Sequence, residues 1–160
     1  MCIRDSLCGV LGDATAANEA VTTGDRVEID GDGFVIVHGR IKNTYITAFG
    51  RTVSPEWVVS ELLNDLTVAH AAVFGEGQVS ATALLVARGE VSDVDLQGAV
   101  DACNQRLPDY ARIGVWHRLT LEQVKQADGL TANGRIRRAA LQEAFQHLIT
   151  EPAEGVLTHA

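Results

Sequence analysis

The tightest constraint on the fold lies mid-chain, where Val68 to Phe74 and Ser80 to Ala87 are two runs of strand length rich in Val, Ala, Leu and Thr. Gly75-Glu76-Gly77-Gln78 separates them with turn residues, so the stretch predicts an antiparallel pair. Helical patterns flank it on both sides. Ser54-Pro55 sets an N-cap ahead of proline at the first helical position, and Val58, Val59, Leu62, Leu63 and Leu66 follow at three- and four-residue steps as one buried face. Downstream, Ser92-Asp93-Val94-Asp95 opens a second helix as a capping-box variant, with Leu96, Ala99, Val100, Cys103 and Leu107 as its stripe and Pro108 as its stop. Cys103 therefore reads as core and not as a nucleophile.

The remaining segments are shorter. Val27-Glu28-Ile29 and Phe34 to Val37 predict a hairpin around Asp30-Gly31-Asp32-Gly33, Gly39 to Asn43 a break, and Tyr45-Ile46-Thr47 a short strand ended by Gly50. Ile113 to Leu119 is a candidate third strand, Glu122 to Leu130 is polar and loop-like, and a last helix is expected from about Arg137 to Leu148 with Leu141, Ala144, Phe145 and Leu148 inward. The sum is a small α+β domain over 42–150, with a short antiparallel sheet and about three helices. A hairpin within 12–41 precedes it, too poor in apolar residues to bury itself. Residues 151–160 read as a tail, and 1–11 as an artificial or truncated start, so that the protein is expected to extend upstream.

Charge excludes some functions. Lys and Arg total 13 against 21 Asp and Glu, a formal net charge of −8, and such a surface repels a phosphate backbone, which argues against nucleic-acid binding. The charge-free run from Gly77 to Ala87 is well short of the roughly 18 apolar residues that span a bilayer, and no signal-peptide core precedes it, so a cytoplasmic protein is expected. Cys2, Cys8 and Cys103 lack metal-ligand spacing, so reduced thiols and no metal site are expected. Phosphate-loop, nucleophile-elbow and zinc-protease signatures are missing from the sequence.

What remains are polar glycine-containing segments in a fixed order: Thr23-Gly24-Asp25, Gly39-Arg40-Ile41-Lys42, Phe49-Gly50-Arg51 leading to Val53-Ser54-Pro55-Glu56-Trp57, and Thr131-Ala132-Asn133-Gly134-Arg135. From about Gly12 to Leu148 this series resembles the C-terminal part of the adenylate-forming superfamily, specifically AMP-forming acyl-CoA synthetases of the long-chain type. The resemblance implies a lid domain behind a large N-terminal adenylation domain that lies upstream. It also implies an acid–thiol ligase, in which ATP, with its Mg2+ held mainly by the large domain, converts a carboxylic acid, here a fatty acid, to acyl-AMP. The acyl group then passes to coenzyme A.

By the same resemblance Asp25 holds the ribose hydroxyls of ATP, a task suited to a carboxylate that accepts two vicinal O–H donors. Arg40 approaches the nucleotide, Lys42 is the hinge on which the lid swings, and Gly50 lets backbone lie against the pantetheine arm. Arg51, Arg112 and Arg118 are weaker candidates for the phosphates of coenzyme A. Each has a plain alternative: Asp25 as a turn residue, Gly50 as a tight turn, the arginines as solvated charge. Arg135 occupies the position at which the family ordinarily carries a lysine that bridges substrate carboxylate and α-phosphate. The chain has only two lysines, Lys42 and Lys125, and Lys125 comes ten residues too early. The competing reading is a noncatalytic or degenerate lid that binds a partner synthetase or carrier protein.

Overall fold

The structure, a computed structural model, describes residues 25–40 and 43–150. Strands β1 (Asp25–Ile29) and β2 (Val35–Arg40) form an antiparallel hairpin. Its turn is closed by the Asp30 carboxylate, which accepts the backbone N–H groups of Asp32 and Phe34 at 3.0 and 2.8 Å. The break expected over Gly39 to Asn43 starts later than Gly39, because β2 continues through Arg40, and residues 41–42 lie outside those described. The register shifts between Arg26, which faces Gly39, and Val27, which faces Val37, so β2 carries one extra residue there as a bulge. Val27, Ile29, Phe34 and Val35 are all exposed.

Strands β3 (Tyr45–Ile46) and β4 (Thr52–Val53) make a second small hairpin, followed by helix α1 (Pro55–Leu63), β5 (Val68–Phe74) and β6 (Ala81–Ala87). Helix α2 (Asp93–Arg106) then crosses to β7 (Ile113–Leu119). The predicted pair β5 and β6 is antiparallel as expected, whereas β7 lies parallel to β6 and makes the order β5-β6-β7. Helix α2 supplies the long crossover that a parallel pairing of β6 and β7 requires.

The sheet has two covered faces, because alternate side chains point in opposite directions. Ala71, Val73, Ala83 and Leu85 pack with Tyr45, Val53, Val58 and Leu62, and with the stripe Leu96, Ala99, Val100 and Cys103 of α2. Ala72, Phe74, Leu84 and Val86 pack on the other side with Val124, Leu141 and Ile149. The β3–β4 hairpin, α1 and α2 thus form one layer, and helices α3 (Leu121–Gln126), α4 (Arg138–Ala144) and α5 (Gln146–Thr150) form the other. Among the described residues no helix is long and apolar enough to cross a membrane.

Three expectations need correction. Helix α3 occupies part of the polar stretch read as a loop: Thr120 and Gln123 form a reciprocal capping box, and Val124 alone supplies the buried anchor. The last helix is not continuous but breaks at Phe145, which turns Ile149 into the core and leaves Ala144 exposed. Helix α1 ends at Leu63, so Leu66 falls outside its face and is 80% exposed.

Candidate functional site

Two turns of nearly the same sequence present the candidate residues. Thr47-Ala48-Phe49-Gly50-Arg51 joins β3 to β4, and Thr131-Ala132-Asn133-Gly134-Arg135 lies inside the bridge between Leu130 and Ile136. Their hydrogen bonds coincide. The threonine N–H donates to the arginine carbonyl at 2.9 and 2.8 Å, and the glycine N–H to the threonine carbonyl at 2.9 Å in both. The arginine N–H donates to the threonine Oγ1 at 3.2 and 3.0 Å. Gly50 and Gly134 have φ of +73° and +74°, the left-handed conformation of a type I turn with a glycine bulge. One local solution is therefore used twice, once on each layer of the sheet.

In both turns the side chain beyond the glycine leaves the hairpin outward. Arg135 is exposed, and among the described residues its guanidinium has no acidic partner, so its donors stay available to an anion. Gly50 has no atom within 4 Å of the point a Cβ would occupy. Backbone there is open to close approach. Arg51 lies with its guanidinium 5.8 Å from the centre of the Tyr110 ring.

The other candidates are distributed differently. Asp25 and Arg40 are direct cross-strand partners in the β1–β2 hairpin, so the backbone register brings the two residues proposed for the nucleotide side by side. Lys42 lies outside the described residues. Arg112 pairs with Asp109 at 2.7 Å and donates to the carbonyls of Asn104 and Leu107, while Arg118 pairs with Asp93 at 2.8 Å. Both are engaged within the domain. Among the described residues no group of His, Cys, Asp and Glu has the arrangement of a metal site.

Sequence reasoning missed Arg138. It borders a cleft of about 750 Å³ at the β5 edge of the sheet, between α1 and α4, lined by Asn43, Val59, Leu63 and Val73 among others. Burial lowers its pKa below the ordinary arginine value, opposed first by the charge of Glu56. Its only sequence signal was a cation falling at the start of an amphipathic helix, which is ordinary on a surface.

Residues 42–154 match the family model of the AMP-binding enzyme C-terminal domain. The chain belongs to this family. Among solved structures it is similar to the anthranilate CoA ligase AuaEII in complex with anthranoyl-AMP, at 25% identity and TM-score 0.62 over 79% of this chain and 24% of that one. A fatty acyl CoA synthetase from Mycobacterium tuberculosis is 28% identical, with TM-score 0.57 over 78% and 24%. The o-succinylbenzoate CoA synthetase MenE from Bacillus subtilis, in complex with the acyl-adenylate intermediate OSB-AMP, is 29% identical, with TM-score 0.59 over 76% and 24%. Among curated proteins none matches. This lid-containing chain thus spans about a quarter of the length of the solved chains it resembles.

Proposed function

We propose that the chain is the C-terminal lid of an acid–thiol ligase, with a large adenylation domain upstream and a hairpin over 12–41 as the end of that domain. The full enzyme condenses a carboxylic acid with ATP to acyl-AMP and pyrophosphate, and the thiol of coenzyme A then attacks the mixed anhydride and releases AMP. A fatty acid is the substrate class, in keeping with the long-chain-type motif series. Mg2+ would accompany ATP, held mainly by the upstream domain, and would offset phosphate charge there. The observation that carries the reading is the pair of matching turns on opposite layers of one sheet. A body so built, rotating at Lys42, exchanges one turn for the other at a fixed reaction centre.

In the first pose Arg135 reaches the acid carboxylate and the α-phosphate. Its planar fork holds two oxygens at once and favours the charge that builds up as the carboxylate attacks. Asp25 accepts the ribose hydroxyls, with Arg40 beside it on the paired strand. In the second pose Gly50 admits the pantetheine arm against bare backbone.

Pyrophosphate exchange by the full-length protein tests the assignment. Arg135→Ala is expected to lower exchange by about 10²- to 10³-fold and to spare thioester formation from preformed acyl-adenylate, whereas Arg135→Lys retains exchange. An alanine variant as active as wild type would remove Arg135 from the reaction and favour a noncatalytic lid.

A further inference from the structure

Arg138 opens α4, two residues past the Ile136 rung that closes the Arg135 turn. Its side chain meets the β5 edge of the sheet, where Nε donates to the Val73 carbonyl at 2.9 Å and Nη1 to the Asn43 carbonyl at 3.5 Å. The guanidinium also lies 4.9 Å from the centre of the Phe74 ring. Among the described residues no carboxylate forms an ion pair with it. Such a cation, half-buried and satisfied by carbonyls and a ring, fixes geometry more than it balances charge.

Asn43 is the residue just past the proposed hinge at 42. Its side-chain amide donates to Glu56 Oε1 at 2.7 Å, in the first turn of α1, while its carbonyl receives Arg138 from the opposite layer. The chain leaving the hinge is thereby fastened to both layers of the lid at its first residue. Any torsional change upstream must move both layers together.

We infer that Arg138 is a positioning residue that couples the Arg135 turn to the hinge exit at Asn43, so that rotation at residue 42 carries the turn to the reaction centre without slack. This rests on the roles given above to Arg135 and Lys42. It differs from a clip that merely stabilises the sheet edge, because the coupling acts on catalysis through Arg135 alone.

A double-mutant cycle in the full-length protein separates the two. Lysine keeps the charge but cannot span two carbonyls with one planar fork. In an otherwise wild-type background Arg138→Lys is expected to lower the kcat of pyrophosphate exchange ~10- to 100-fold, as misplacement of a catalytic group does, while the KM for ATP stays within about twofold. In the Arg135→Ala background the same change is expected to cost nothing further, since residues acting as a unit are not additive. Equal losses in both backgrounds, or no loss in either, overturn the coupling. Should Arg138→Lys fail to give a single melting transition, Arg138→Gln enters the same cycle, and failure of both marks a stability clip and also overturns it. Wild-type exchange by Arg135→Ala alone would refute the Arg135 assignment, and the coupling with it, before position 138 is touched.

Discussion

Tyr45 is 2% exposed, and its buried hydroxyl has no hydrogen-bond partner among the described residues. Space for the ring exists because residue 75 is glycine, and a Cβ there would run into the ring itself. Gly75→Ala is therefore expected to destabilise the fold by about 1–3 kcal/mol through overpacking, read as a lower midpoint in urea. Tyr45→Phe removes an unsatisfied donor and should be neutral or stabilising. Burial pushes the Tyr45 phenol up to about 12 despite the opposing charge of Arg138, and pushes the Cys103 thiol up to about 11. Below their unfolded values both groups are neutral in the folded and the unfolded chain; above them the unfolded chain ionises first, so stability held with both groups protonated is lost as pH rises from about 9 to about 12. Thermal melts across this range should show a falling midpoint, and Tyr45→Phe should flatten its upper part; an unchanged slope in the variant would assign the loss to other groups. Cys103 was legible from its place in a helical stripe. Arg138 was not, because its partners Val73 and Asn43 are 65 and 95 residues away in sequence.

At the scale of elements, the two five-residue turns show how far local chemistry reaches. Each needs a glycine at positive φ and a threonine hydroxyl to receive the arginine N–H. Gly50→Ala and Gly134→Ala should each cost about 1–2 kcal/mol, the usual penalty for a side chain in the left-handed region. Thr47→Val and Thr131→Val should each cost about 0.5–1.5 kcal/mol through the lost hydrogen bond. The matched pairs make the measurement internally controlled: differing costs at equivalent positions would mean that tertiary contacts, and not the turn, set the conformation. The glycines and their order were readable in sequence, as were the strand pair and the α2 capping box. Helix α3 was not, because one buried residue, Val124, gives no periodicity; the signal that could have found it was the Thr120–Gln123 spacing. The break at Phe145 was equally hidden, since Leu141, Phe145 and Leu148 fit an uninterrupted helix as well as a broken one.

For the whole molecule, the decisive property is that one three-stranded sheet serves both layers. Leu84 and Leu85 are neighbours on the central strand β6, yet their side chains enter different cores, at 2% and 0% exposure. Local patterns could not reveal this, because a strand covered on both faces shows no alternation. Under the proposed exchange of two turns by rotation their separation must stay fixed, and two layers sharing one sheet are expected to melt as one unit. Leu84→Ala and Leu85→Ala should each cost about 2–5 kcal/mol. Trp57 and Trp116 both pack against the core that contains Leu85, so tryptophan fluorescence reports on that layer while far-ultraviolet circular dichroism reports on all elements. In Leu84→Ala, whose cavity lies in the opposite layer, the two signals are expected to melt at the same lowered temperature. A fluorescence transition left near the wild-type midpoint while the dichroism falls early would mean that the layers are independent, and a rigid exchange of the Gly50 and Arg135 turns would fail with it.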